Sequence, residues 1–302
     1  MSVQTDAERA LVATSQLVKR YGSQTALDGV DLQVPVGSVY GLVGPNGSGK
    51  TTLLSILAGL RRPSAGRSEV RADPGRVALV PDTPRFDPWL TAWECVDLAR
   101  HLTAPHLPGE RVDAALTQTG LAEAADRRCG GFSRGMLQRL GLATAVVSDP
   151  ELLLLDEPCS ALDPAGRREV LDLVAGFRGR ATVLFSSHVL GDVQEICDTV
   201  GVLRRGTLLF QGPLADLLHG HARAGYALRL RAPVEPVAAL LARQPWVTDV
   251  DAAAPDLLHV GVSDTDDAER HLPRLLADAG ARMVSLVPLQ PDLESVFLEL
   301  TR

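Results

Sequence analysis

Three short stretches of this chain carry residue types at spacings suited to work on phosphate esters. Gly44-Pro45-Asn46-Gly47-Ser48-Gly49-Lys50-Thr51, followed by Thr52, fits the pattern G-x-x-x-x-G-K-[ST]. The apolar run Val39–Val43 precedes it and the helical pattern Thr51–Leu60 follows, the strand and helix context that a phosphate loop needs. Backbone N–H groups of such a loop and the helix N-terminus converge on phosphate oxygens, Lys50 reaches the β/γ-phosphates and the Thr51 hydroxyl ligates Mg²⁺. The alternative is a glycine-rich turn with a surface lysine. Of 30 basic residues, however, only Lys19 and Lys50 are lysine, so a position that keeps lysine has a reason to.

The second stretch is Leu152–Leu155 followed by Asp156-Glu157-Pro158, a buried strand delivering two carboxylates at its end, where open α/β sheets place ligands. Asp156 suits a Mg²⁺-linked aspartate, and Glu157 can polarise a water aimed at a γ-phosphate. A solvated Asp-Glu-Pro turn is the alternative. In the third, strand Thr182–Phe185 ends in Ser186-Ser187-His188. With the strand ends aligned along one sheet edge, His188 can hydrogen-bond the γ-phosphate or the attacking water; otherwise it is a packing or capping residue.

Phe132-Ser133-Arg134-Gly135-Met136, with Gln138-Arg139 after it, places Ser133 at a helix start, either as an ordinary N-cap or as a second anion site. Here the sequence resembles the ATP-binding cassette (ABC) ATPases, whose signature is Leu-Ser-Gly-Gly-Gln followed by Gln-Arg. The resemblance covers about residues 12–213 and implies further roles: Tyr21 as the aromatic that stacks adenine, Ser133 and Gly135 as phosphate contacts, Ser160–Asp163 as the D-loop with Asp163 at the nucleotide, and His188 as the switch histidine. It implies a P-loop NTPase fold with a helical subdomain. It also implies ATP and Mg²⁺ as cofactors, and a head-to-tail dimer, expected as a homodimer, in which one subunit's phosphate loop and the other's signature sandwich ATP.

Two positions depart from that family. Its usual glutamine after the strand at Val77–Val80 is missing: no Gln occurs between Gln33 and Gln118, and Asp82 occupies the slot as a candidate metal ligand. Arg134 and Met136 replace signature residues, while Ser133 and Gly135 are kept.

To position these groups the chain alternates strands and helices, an α/β pattern: helices at Ala92–Leu102, Val112–Thr119, Leu137–Val147 and Ala165–Arg178 surround the strands above. Residues 1–13 read as a lead-in, 14–215 as the nucleotide-binding domain and 222–302 as a small α+β accessory domain. The last follows the order βαββαβ, closed by a helix at Leu293–Leu300. Its tail resembles that of ABC-2-type exporter ATPases, a group that includes drug and antibiotic pumps, and this favours export. The net charge of −7 with no basic block excludes an electrostatic grip on nucleic acid. No apolar run approaches the about 18–20 residues of a membrane span, and the N-terminus lacks a signal-peptide pattern. The four cysteines, Cys95, Cys129, Cys159 and Cys197, form no CxxC and read as reduced thiols.

The expectation is therefore an ATPase subunit at the inner face of the cell membrane, docked on separate transmembrane permease subunits. By resemblance the docking surface is about Pro84–Leu102, unless Trp89, Leu90 and Trp93 are core. The rival is a non-transport ABC ATPase with a regulatory or assembly role; a P-loop kinase or GTPase needs no Ser133–Gly135 signature.

Overall fold

The computed structural model describes residues 10–160, 162–220, 225–231, 233–289 and 293–300. The chain divides into two compact units, Met1–Ala215 with Phe297–Arg302, and Asp216–Val296. The end of the final helix thus counts with the first unit, whereas the sequence reading gave all of 222–302 to the second.

The first unit opens with β1 (Ala10–Tyr21), so Ala10–Ala13 are strand rather than lead-in. Val12 is fully buried opposite Val34, and that packing outweighs the polar look of the segment. A tight turn at Gly22, φ 57°, leads into β2 (Gln24–Val30), and β3 (Gln33–Pro35) continues the antiparallel pairing along β1 to Ala10. Then come β4 (Val39–Val43), all buried, and α1 (Lys50–Leu57), which stops before the expected Leu60 because Gly59 takes φ 74°. β5 (Ala65–Val70) returns to β1 and completes an antiparallel sheet.

After β6 (Val77–Val80) the chain leaves for a helical subdomain of α2 (Ala92–Thr103), α3 (Glu110–Gln118) and α4 (Arg134–Val146). A Thr91–Glu94 capping box starts α2. Ser133 starts α4 by accepting the Met136 N–H at 3.2 Å, three residues before the apolar pattern begins. The chain re-enters through β7 (Leu152–Asp156), α5 (Pro164–Ala175), β8 (Thr182–Ser187), α6 (Leu190–Ile196), β9 (Thr199–Arg204), β10 (Thr207–Pro213) and α7 (Leu214–Gly220). The central sheet runs β10-β9-β4-β8-β7-β6 and is parallel from β9 to β6. β4, β6, β7 and the first part of β8 are continuous apolar runs, as expected of parallel strands covered on both faces.

The second unit follows the expected order: β11 (Gly225–Leu230), α8 (Glu235–Leu241), β12 (Val247–Ala254), β13 (Leu257–Val262), α9 (Thr265–Asp278) and β14 (Met283–Pro288). Its antiparallel sheet, β12-β13-β11-β14, buries Leu228, Leu258 and Val260 against Leu241 and Leu272. α10 (Leu293–Leu300) ends the described chain.

Candidate functional site

Sheet register brings the three chemical stretches together. Val43 pairs with Ser187 and Asp156 with Ser186, so the carboxyl ends of β4, β8 and β7 form one edge, with β6 beyond them. Whatever leaves these strands meets there.

The loop from β4 to α1 needs glycine at defined points. A Cβ on Gly44 would stand 2.2 Å from the Leu203 carbonyl oxygen, and Gly49 holds φ 113° against the Ala26 carbonyl. Within this tight loop the Ser48 hydroxyl is buried with no hydrogen-bond partner among the described residues. Lys50 is only 5% exposed. Its ammonium donates to the Gly44 carbonyl at 2.7 Å and lies 3.1 Å from Glu157 Oε1, a charge contact without hydrogen-bond alignment.

Asp156 and Glu157 occupy different environments. Asp156 is buried, and its Oδ1 accepts the Ser186 hydroxyl at 2.8 Å. Burial pushes its carboxyl above the usual range, opposed by hydrogen bonds from Thr51 and Ser186. Glu157 has φ 50°, an uncommon conformation for a side-chain-bearing residue, stabilised by bonds from its N–H to Ser186 Oγ at 2.9 Å and Ser186 O at 3.2 Å. That turn aims its carboxylate back at Lys50 and at His188, whose Nδ1 lies 2.7 Å from Glu157 Oε2. Ser186 is the residue that the sequence reading quoted without assigning it work. Its hydroxyl donates to the Asp156 carboxylate and accepts the Glu157 backbone N–H, and its place at the end of β8, two residues before His188, was the available signal.

A cavity of about 370 Å³ opens over this edge, bordered by Asn46–Thr52, Asp82, Glu157, Tyr21, Gln24 and Ala26. Gly44 and Pro45 lie beneath it as the carbonyls facing Lys50. Tyr21 stands at its rim, with Lys19 Nζ 5.1 Å and the Arg61 guanidinium 5.4 Å from the ring centroid, a cationic setting invisible before β1 and β2 were placed. Asp82 borders the cavity, but its Oδ1 accepts the Ser160 hydroxyl and its Oδ2 the Thr83 hydroxyl.

Ser133, Gly135 and Asp163 are not at this cavity. They line another of about 350 Å³ with Arg134, Arg139, Leu162 and Gly166, sharing no residue with the first. Asp163 caps α5 by accepting the Gly166 N–H at 2.9 Å. A larger cavity, about 560 Å³, lies in the second unit beside Trp246, His271 and Leu275, and none of the sequence-predicted site residues borders it.

The donor set suits Mg²⁺: one carboxylate, Asp156, hydrogen-bonded to the Thr51 hydroxyl, beside a loop built for phosphate. Among the described residues no group of three or more His, Cys, Asp or Glu is arranged to hold a metal ion by itself. All four cysteines are free and buried; Cys95 and Cys129 lie with their sulfurs 3.5 Å apart.

The profile described as "ABC transporter" matches residues 27–160. A daunorubicin resistance ATP-binding protein of Streptomyces coeruleorubidus is 35% identical over 94% of this chain and 93% of its own length. A bacitracin transport ATP-binding protein of Bacillus licheniformis is 34% identical over 68% of this chain and 71% of its own. Among solved structures, an ATP-binding subunit of an ABC transporter superposes with TM-score 0.63 at 26% identity, over 70% of this chain and 92% of its own. A dimeric ABC transporter cassette has the same TM-score at 23% identity, over 67% of this chain and 98% of its own.

Proposed function

This chain belongs to the ATP-binding subunits of ABC transporters, and from that membership we propose that it powers export of a drug or antibiotic through separate membrane subunits, acting as a pair of identical cassettes. The observation that carries the reading is the convergence of Lys50, Glu157 and His188, which follow three strands of one sheet edge, with Lys50 and Glu157 bordering a cavity walled by the phosphate loop. The likeness to daunorubicin and bacitracin proteins supports export.

In this reading, backbone N–H groups of Asn46–Thr52 hold the triphosphate, and Lys50 moves from the Glu157 carboxylate to the β/γ-phosphates. Thr51 and Asp156 would hold Mg²⁺, with Asp82, which borders the same cavity, a third candidate, and the ion would neutralise phosphate charge. Glu157 takes a proton from the water that attacks the γ-phosphorus as the bond to the β-phosphate oxygen breaks, releasing ADP and phosphate. His188 orients that water and the departing phosphoryl group. Tyr21 supplies a face for the adenine ring. Ser133, Gly135 and Asp163, on their separate cavity, contact the nucleotide held by the second copy, which completes each site.

The docking surface is the apolar side of the segment from 84 to 102. Trp89 is 74% exposed and Leu102 76%, with Leu98 one helical turn earlier on the same side of α2. Trp89 is therefore not core, while Trp93 is half-buried with its indole N–H bonded to Asp113 at 3.0 Å. No helix among the described residues is long and apolar enough to cross a membrane. The reading puts the pathway in the partner subunits and this chain at the cytoplasmic face. Pull-down from detergent-solubilised native membranes tests this. A multi-span membrane protein should co-purify, less so with Trp89→Asp, and its consistent absence counts against a transport role.

A further inference from the structure

Asp82 borders the phosphate cavity with Lys50, Thr51 and Glu157, yet both oxygens of its carboxylate already have hydroxyl donors. Oδ1 accepts the Ser160 hydroxyl, and Oδ2 accepts the Thr83 hydroxyl at 3.3 Å. Ser160 sits in the turn after β7, where its own N–H donates to the Glu157 carbonyl at 3.1 Å. One side-chain bond therefore joins the loop after β6 to the turn before α5, across 78 residues of sequence. The turn is the one that carries Glu157.

We propose that Ser160 is a positioning residue for Asp82, its hydroxyl holding the carboxylate against the D-loop turn and away from the triphosphate. The inference rests on the nucleotide reading above and deepens it. A triphosphate brings several negative charges beside Asp156 and Glu157, and a further carboxylate free to swing toward it repels it at short range. The Ser160 donor gives Asp82 a partner elsewhere, so the site carries an acid at its mouth without the full repulsion. When Mg²⁺ accompanies the nucleotide, the released carboxylate has a cation to face and the repulsion is relieved. Ser160 thereby sets how strongly nucleotide affinity depends on the divalent ion.

Equilibrium binding of a fluorescent ATP analogue to the full chain, with EDTA and with Mg²⁺, tests this. Ser160→Ala should weaken binding in EDTA by about threefold to tenfold, the scale of one added unit charge at partly screened short range, with a smaller loss in Mg²⁺. In an Asp82→Ala background the same substitution should change nothing, and Ser160→Thr, which keeps the hydroxyl, should behave as wild type. An unchanged ratio of the two affinities in Ser160→Ala, or an equal loss in the Asp82→Ala background, overturns the proposal while leaving the nucleotide reading intact. Wild-type binding that is indifferent to both Mg²⁺ and Lys50→Ala overturns the reading beneath it.

Discussion

His188 and Glu157 are joined twice: the imidazole Nδ1 lies 2.7 Å from Glu157 Oε2, and the His188 backbone N–H donates to the same oxygen at 3.2 Å. The other carboxylate oxygen faces Lys50 at 3.1 Å. In the mechanism proposed above, a bound nucleotide draws Lys50 toward the β/γ-phosphates and bares that oxygen of Glu157. His188 keeps the other oxygen in place. On that proposal the substrate itself uncovers the general base.

Lys50→Ala removes the charge compensation for the β/γ-phosphates and leaves Glu157 without its cation. A loss of about 2–4 kcal/mol in transition-state stabilisation, the scale of one preorganised electrostatic contact, lowers turnover roughly 10²- to 10³-fold. Phosphate release by the purified variant measures it. Turnover near wild type would remove this loop from the mechanism.

Glu157→Gln keeps the shape and loses the basicity. ATP and Mg²⁺ should still bind, hydrolysis should stop, and ATP should drive accumulation of a dimer seen by light scattering. Normal hydrolysis in this variant would shift the base role to His188 or Asp82.

Asp82→Gln removes a negative charge from the cavity rim, and the amide oxygen can still accept from Ser160. The variant should need less Mg²⁺ and turn over ATP at an equal or faster rate. Mg²⁺ titrations at fixed ATP decide. Superimposable curves would make Asp82 a solvated loop residue, and collapse of activity would make it a required ligand of metal or water.

Arg167 on α5 holds Asp192 on α6 through Oδ1, at 2.6 Å from Nε and 2.5 Å from the terminal nitrogen, and Asp192 is 2% exposed with Oδ2 unpartnered. Arg167→Ala should cost about 3 kcal/mol, the low end for breaking a buried pair because the arginine is partly exposed, and lower Tm by about 6–12 °C. Burial already pushes the Asp192 carboxyl up, with Arg167 holding it down. Without Arg167 the folded-state value rises further above the unfolded one. The penalty is then full above the folded value and disappears as pH falls below the unfolded value. Thermal melts from pH 8 to pH 5 should show the deficit narrowing as pH drops; a gap that widens or stays constant contradicts the ion-pair account.

The central strands and the groups at their ends were legible because each carries its own signal. Leu152–Leu155 can only be a strand covered on both faces, and Gly44–Thr51 is a pattern whose backbone geometry admits few other residues. β1, β2, β5 and β10 went unread, since their apolar residues are interleaved with polar ones and acquire meaning only when paired across the sheet, and the short run of β9, broken by Gly201, went unread too. Tyr21 was named from resemblance, but its two cations come from β1 itself and from the segment after α1.

By itself the sequence determined which side chains are present and that three strand ends carry phosphate chemistry, because periodicity and short motifs are local. The tertiary structure alone decided the pairings: Lys50 with Glu157, Ser186 with Asp156, Ser160 with Asp82 and Arg167 with Asp192. Each joins residues remote in the chain, and which of many carboxylates a cation or hydroxyl meets depends on strand order and register. A run of residues fixes neither until the sheet has formed.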